Sequence, residues 1–420
     1  MTLAVLTIND QALQLFVENG EQRTEVGYVN AAADGLISGE AARDRAWLQP
    51  QFSFNQYWQR LDQKPLETKL RWARSNADMA FAQMRQLLSG IQQPELLLAV
   101  PGSLQDEQLS LLLGLLKALP ANVIGLVDNA LLTAKPVHRA IIDLQLHQVL
   151  VTHLKVDGDH LCVHRHEVLS DLGAVHIHRD IGQYISHQLI TDTRYDPLHS
   201  SNSQQALYTA LPDWLSKLSL QTDWVTEIDS PQGPLPLRLD RWRLQQLLAP
   251  RYKALEHSLR SYANPQISTL QTSALLTTLS PALAAVVAEK SRTFADRGFA
   301  LAHRLKEQKP PLERILKLAY DTSTGLHTPT KTRRAATHLL FRQRAWCIGT
   351  VLSLKVTPNE LDIQHGDHSD ADLLVSGEPG KLQLTSQNEN LTINAPNPAL
   401  AGDCIQVGDY SIELIEVMNA

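Results

Sequence analysis

The chain has only three cysteines among its 420 residues, Cys162, Cys347 and Cys404. They are widely spaced and odd in number, which argues against a disulfide framework and for reduced thiols in a cytoplasmic protein. Long apolar runs are also missing. The longest, Leu109 to Leu119, is interrupted by Lys117 and is far too short to span a bilayer, so no membrane insertion is expected. Met1 to Phe16 has no basic start and no extended apolar segment, so no signal peptide is expected either. Positive charge is not in excess: the formal net charge is −6, which argues against a broad nucleic-acid or anionic-membrane surface. No Gly-x-Ser-x-Gly elbow supports Ser/His/Asp hydrolysis, and Ser170-Asp171 reads as a turn. No self-similarity at a fixed period is visible.

What remains is an ordinary globular composition, 43% apolar and 20% charged, on a chain long enough for two to four domains. Leu3 to Thr7 and Leu13 to Glu18 read as strands, and Asn19-Gly20 is a strong hairpin signal. Residues 39 to 92 are helical in character, with apolar positions at three- and four-residue spacing from Leu66 to Leu88. Glu95 to Val100 is a buried strand stopped by Pro101-Gly102. A helix over Gln105 to Leu119 and a strand over Val123 to Val127 follow, which predicts a parallel pair in an α/β domain. Ala140 to Asp143 and Val149 to Leu154 make a further hairpin, turned by Asp157-Gly158 into Leu161 to Leu169. Leu207 to Ser261 looks largely helical, broken by Ser230 to Pro236, and Leu275 to Ala288 and Phe294 to Leu305 read as two more helices. Lys309-Pro310-Pro311 and the basic, Thr-rich stretch Thr322 to Thr337 look like a connection. Beyond His338, short β runs at Trp346–Val356, Ala371–Val375, Leu382–Leu384, Leu391–Ile393 and Ser411–Val417 predict a separate β domain.

Taken in order, these pieces resemble the nucleotide-binding domain of DnaK-type heat-shock chaperones over roughly residues 1 to 305. The matching segments are the hairpin Phe16 to Glu21, Asp34-Gly35 with Gly39-Glu40-Ala41-Ala42-Arg43 and Pro50, and Val100-Pro101-Gly102 with Gln108. Gly125 to Ala130, Leu237 to Ala254 and Arg297-Gly298-Phe299-Ala300 complete the set. The resemblance implies an α/β, actin-like, two-lobed (ribonuclease-H-like) domain that holds ATP and magnesium between its lobes.

The chemistry of that family is not matched. Backbone can approach a phosphate closely only where side chains are minimal, so phosphate loops are rich in glycine. The corresponding turns read Thr7-Ile8-Asn9-Asp10, Leu144-Gln145-Leu146-His147 and Leu270-Gln271-Thr272-Ser273, with no glycine in any of them. Leu6 or Thr7 falls where the family has its first loop aspartate, and Gln59 falls near its catalytic lysine. Phosphoryl transfer depends on cations and amide donors placed to neutralise developing charge, so hydrolysis is not expected. Asp143 survives at the second loop. It reads either as a carboxylate capping a strand end or, if nucleotide or magnesium binds, as a metal-side ligand.

Histidines cluster between His138 and His199. Cys162, His164 and His166 alternate, so on a strand they share one face, and His176 and His178 form a second such pair. Zinc accepts such ligands, but the spacing matches no finger or HExxH arrangement, and a polar hairpin face is the plainer reading. Lys331-Thr332-Arg333-Arg334 reads as a solvated linker. At the carboxy-terminal end, Gly402-Asp403-Cys404-Ile405-Gln406-Val407-Gly408-Asp409 resembles the last hairpin of forkhead-associated β-sandwich domains. That family's phosphothreonine-binding pattern is not supplied by Ser376-Gly377 or Ser386-Gln387-Asn388. The expected organisation is an actin-like domain over 1–305, a linker with a helical start over 306–337 and a small all-β sandwich over 338–420. The expected function is a cytoplasmic, chaperone-like pseudo-ATPase that binds a protein partner, needs no cofactor and does not bind nucleic acid. Without nucleotide, the expected cleft is collapsed, filled by side chains such as His147 and Gln271, or used by a partner; the alternative is a divergent DnaK-type chaperone that binds ATP with magnesium through atypical contacts.

Overall fold

Leu3–Thr7 (β1) is buried at every position, so it has to be covered on both faces. The chain returns through Leu13–Val17 (β2) and Gln22–Glu25 (β3) as an antiparallel meander. The second turn of that meander uses Gly20 at φ 94°, a left-handed conformation that costs glycine little. In the computed structural model, the described residues are 2–32, 35–263, 266–270, 274–286, 294–308, 310–320, 336–341, 344–357, 361–378, 381–388, 391–395, 399–400, 403–408 and 410–415. They fall into two compact units, Met1–Thr324 and Gly325–Ala420.

In the first unit, Val29–Asn30 (β4), Ile37–Ser38 (β5) and Ser53–Phe54 (β6) make a small sheet beside the one-turn helix Glu40–Arg43 (α1). Asn76–Leu87 (α2) then leads to Glu95–Val100 (β7), Asp106–Lys117 (α3) and Asn122–Asp128 (β8). Strands β7 and β8 run parallel, and β7 lies parallel to β1. Helix α3 begins with a reciprocal cap, in which the Gln105 N–H donates to Gln108 Oε1. A short helix, Asn129–Thr133 (α4), starts on the Asp128 side chain, which accepts the Ala130 N–H.

The same strand order then recurs. Ala140–Leu144 (β9), Val149–Asp157 (β10) and His160–Leu169 (β11) form a second antiparallel meander. Helices Ala174–Thr193 (α5) and Ser201–Leu220 (α6) follow, then a ribbon of Asp223–Ser230 (β12) with Gly233–Asp240 (β13), then Arg241–Leu259 (α7). Ile267–Thr269 (β14) returns parallel to β9, as β7 did to β1. Ala274–Leu279 (α8) and Pro281–Val286 (α9) precede Phe294–Gln308 (α10), whose Gly298 lies against Val5 of β1. Finally, Arg314–Ile315 (β15) pairs with β8 and Lys317–Ala319 (β16) pairs with β11. One short strap is thus the outer strand of both sheets, whose orders are β15-β8-β7-β1-β2-β3 and β14-β9-β10-β11-β16.

Period-two alternation assigns each strand residue to a layer. Ala4, Leu6, Leu96, Leu98 and Val100 face a core made with α2 and α3. Leu3, Val5, Leu97 and Ala99 face a middle layer that also takes Ile141, Leu154 and Leu161 from the second sheet and Leu301 and Leu305 from α10. Ala140, Ile142, Leu144, Val149 and Val151 face the third layer, under α5, α6 and α7. Both sheets are therefore covered on both sides, and they share the layer between them.

Several expectations are corrected. The helix expected over Leu66–Leu88 is confined to Asn76–Leu87. Leu66, Leu70 and Ala73 do pack on the core, but from a loop closed by the Leu66 N–H on the Arg74 carbonyl. Pro234 and Pro236 do not interrupt a helix; they lie on the exposed face of the β12–β13 ribbon, where a missing N–H is tolerated. His176 and His178 sit on helix α5, not on a strand. Leu275–Ala288 divides at Ser280-Pro281 into α8 and α9. The first unit runs to Thr324, so part of the expected 306–337 connection belongs to its sheets. Lys331–Arg334 lies outside the described residues.

The second unit contains two sheets. His338–Phe341 (β17), Arg344–Cys347 (β18), Leu352–Val356 (β19), Leu361–His365 (β20), Leu373–Glu378 (β21), Lys381–Ser386 (β22), Ile393–Asn394 (β23), Cys404–Val407 (β24) and Tyr410–Ile415 (β25) pair as β18-β17-β25-β24-β23 and β20-β19-β21-β22. Leu339, Ile412 and Leu414 of one sheet and Leu352, Leu354, Leu373 and Val375 of the other belong to a single core. The expected run Trp346–Val356 is two strands, separated by a turn at Ile348–Val351.

Packing at Gly173 yields a paired prediction. A Cβ at Gly173 would lie 2.3 Å from the Leu146 carbonyl oxygen, whereas one at Gly114 in α3 meets open space. Gly173→Ala is expected to destabilise the first unit by about 1–3 kcal/mol, and Gly114→Ala to stabilise it by about 0.5–1 kcal/mol. Denaturant midpoints of the two variants moving in the same direction would contradict this packing.

Candidate functional site

Residues 8–12, between β1 and β2, face residues 145–148, between β9 and β10. Asn9 Nδ2 donates to Asp143 Oδ1 at 2.5 Å and to the Leu144 carbonyl at 3.1 Å. Asp10 Oδ1 accepts the Leu146 N–H at 2.7 Å. Beyond Asp143 the bonds continue outward. Gln145 Nε2 donates to Asp143 Oδ2 at 3.2 Å, Gln148 Nε2 to Gln145 Oε1 at 2.6 Å, and Gln59 Nε2 to Gln148 Oε1 at 3.0 Å. An unbroken chain of carboxamides thus runs from Gln59 through the second half of the unit to Asp143, and back to the first half at Asn9. Gln108 holds its outer end by donating to the Gln59 carbonyl at 3.1 Å.

Part of the backbone of both turns is similarly committed. The Gln145 N–H goes to the Gln148 carbonyl, and the Ala174 and Val175 N–H groups at the start of α5 go to the Gln145 and Leu146 carbonyls. Those two N–H groups are the kind that a helix start leaves open to an anion; here a neighbouring turn takes them. On the facing turn, the Gln11 N–H goes to Asn9 Oδ1 and the Ala12 N–H to the Asn9 carbonyl.

Burial dominates the electrostatics. Asp143 is pushed up to about 8 by loss of solvent, with the nearby Asp10 and Asp128 carboxyls adding to the rise. Burial likewise pushes Asp10 up to about 7, against the hydrogen bond from Leu146. A buried carboxyl without a compensating cation takes up a proton in place of its charge. Asp128 is differently placed: its Oδ2 accepts from His166 Nε2 at 2.9 Å and from an Arg314 guanidinium nitrogen at 3.0 Å. Arg314 also donates to the Pro101 carbonyl at 3.2 Å, so the strap and the end of β8 are tied together beside the cleft. A cavity of about 180 Å³ remains among Trp58, Gln59, Leu104, Asp10 and Gln148, and among the described residues no lysine or arginine lines it.

The structure therefore buries Asp143 against Asn9 and Gln145. His147 stands outside that chain, with its Nε2 3.1 Å from Asn55 Oδ1 and its ring edge-on to His176. Burial first, and His176 second, hold His147 down to about 4. Gln271, Thr272 and Ser273 lie outside the described residues. The expected alternation of Cys162, His164 and His166 is broken: Val163 pairs with Leu154 and Arg165 with His153, so His164 is the extra residue of a bulge. Cys162 is buried, His164 is exposed and His166 is spent on Asp128. Among the described residues, no group of three His, Cys, Asp or Glu side chains is placed to hold a metal ion. Gln148, Asp128 and Arg314 are site residues with no role evident from the sequence; Asn9 and Asp10 lie in a turn that is visible there, but their bonds to Asp143 and Leu146 are not. The one local signal was polar Asn9-Asp10 directly after an apolar strand. No protein-family model matches the chain, and no similar curated protein is found.

The raised carboxyl at Asp143 makes a pH prediction. A carboxyl whose folded value lies above its unfolded value of 3.8 favours the folded state most at low pH, and that contribution is lost as pH rises through the folded value. Asp143→Asn has no proton to lose. Its stability relative to the parent chain is expected to improve between about pH 5 and about pH 9, read as urea midpoints at each end. Parallel pH profiles for parent and variant would show that Asp143 is already ionised in the fold.

Proposed function

We propose that the first unit is an actin-like, two-lobed fold of the ribonuclease-H type, related to DnaK-type chaperone domains, and that it acts as a pseudo-ATPase scaffold. The strand pattern supports the fold assignment: each half is an antiparallel meander to which a parallel strand is added beside the first. The carboxamide chain from Gln59 to Asn9 carries the functional reading. It occupies the place between the two turns where the family's phosphates would lie. The groups present do not suit a magnesium nucleotide, because the Gln11, Ala12, Gln145 and Leu146 amides are already bonded and, among the described residues, no cation lines the cavity. No hydrolytic step is derived through it.

In this reading the protein works by holding a partner protein, with no cofactor, in the cytoplasm. The second unit is read as a β-sandwich module of forkhead-associated type, supported by two sheets on one core and by the closing β24–β25 hairpin. The three cysteines are free, which suits a reducing compartment. Among the described residues, no helix is long and apolar enough to cross a membrane.

Thermal unfolding of the full chain with and without millimolar Mg-ATP or Mg-ADP tests the closed cleft. A ligand at about a hundred times its dissociation constant adds about 2.7 kcal/mol of stability, a readily visible shift. No shift with either nucleotide is expected. A clear shift with ATP would overturn the pseudo-ATPase reading in favour of a divergent ATP-binding chaperone.

A further inference from the structure

Helix α7 buries Leu244, Leu248, Tyr252, Leu255 and Leu259 in the second half's core and turns a very different side to solvent. At ~100° per residue, its exposed positions span an arc of roughly 160°. Trp242 is 66% exposed and Leu247 38%, with Pro250 and Ala254 exposed between and beyond them. The exposed charges in the same arc are Arg243, Lys253 and Arg260, and none is acidic. Two charges beside this arc are engaged within the unit: Arg251 is held by Asp180 at 2.5 Å, and Glu256 accepts the Ser280 hydroxyl. Pro250 has no N–H to give to the Gln246 carbonyl, which leaves an acceptor on the exposed side. On a chain of net charge −6, this is a local basic and apolar stripe with an aromatic anchor.

We infer that this face of α7 docks an acidic amphipathic helix of a partner protein. Tryptophan and arginine are the side chains that most often carry binding energy at interfaces. Basic residues set among apolar ones complement a partner helix with an apolar stripe flanked by Glu or Asp. A second copy of this face is the wrong occupant, because it would bring like charges together. A flat anionic membrane finds only two large apolar side chains here to bury, Trp242 and Leu247, which is too little for an interfacial helix. The inference deepens the scaffold reading by giving the partner's chemistry, but it uses no residue of the cleft.

The test uses a fluorescein-labelled synthetic helix of about 18 residues, with leucine at three- and four-residue spacing and glutamate elsewhere. Its anisotropy is titrated with the full chain at low and raised salt. Saturable micromolar binding that weakens with salt is expected, and Trp242→Ala and Arg243→Glu/Lys253→Glu should each weaken it at least about tenfold. These side chains are exposed, so the variants should melt with the parent chain, which the same samples verify. Unchanged affinity in the variants, or no binding at all, overturns the proposal. Equal affinity for a control peptide with serine in place of leucine would leave only a general polyanion surface, and capture by anionic vesicles without peptide binding would make it a membrane face. A melting shift with Mg-ATP alongside intact peptide binding would remove the closed-cleft reading and leave this one standing.

Discussion

The bond from Asn9 Nδ2 to Asp143 Oδ1 joins the turn of one sheet to the last strand residues of the other, 134 positions away in the chain. The carboxamide chain is arranged around it. Asn9 is fixed because its own Oδ1 is taken by the Gln11 N–H. Asp143 is fixed from its other side by Gln145, itself fixed by Gln148. A carboxamide can extend such a chain because it donates and accepts at once, whereas a lysine in the place of Gln59 could only donate. Gln59 continues the network, its side chain donating to Gln148 and its backbone carbonyl accepting from Gln108.

Each member of the chain is worth about 0.5–1.5 kcal/mol net, but removing one leaves a buried partner unsatisfied at about 1–3 kcal/mol. The network is therefore more effective at penalising partial opening than at adding stability. The two raised carboxyls act in the same direction, since Asp10 and Asp143 stay buried most easily when protonated. Glycine loops that leave amides free would open such a cleft to anions. Here the loops carry long polar side chains that meet one another, and α5 gives its first N–H groups to the turn.

Strands were the most legible part of the fold. Leu3–Thr7, Glu95–Val100 and Ala140–Asp143 are apolar runs bounded by turn residues, a pattern that specifies a buried strand almost regardless of context. The β12–β13 ribbon was not legible, because Pro234 and Pro236 punctuate its sequence while Leu235, Leu237 and Leu239 alternate beneath them. Nor was α5, whose His176 and His178 looked like one face of a strand. At the site, Asp143 was visible through the resemblance, but its environment was not. Asp10 meets Leu146 across 136 positions and Arg314 meets Asp128 across 186, and no local pattern encodes such pairs. The repeated strand order of the two halves left no repeat in the sequence, since buried strands need apolar alternation rather than particular residues.

The strap sets a second constraint, at the other border of the cleft. Residues 314–319 give one strand to each sheet, and Arg314 bonds the Asp128 carboxylate that also takes His166 from β11. Sheets joined at both the turns and the outer strands cannot rotate about either contact alone without breaking the other. The strap is also the last part of the unit to be made, after every strand it pairs with. The two halves can each form their meanders early, from local contacts, but their mutual position is completed only when the strap adds to β8 and β11. Such non-local closure raises the mean sequence separation of contacts and slows folding. The unit therefore combines locally readable halves with a junction encoded at long range, and the features that close its cleft belong to the second class.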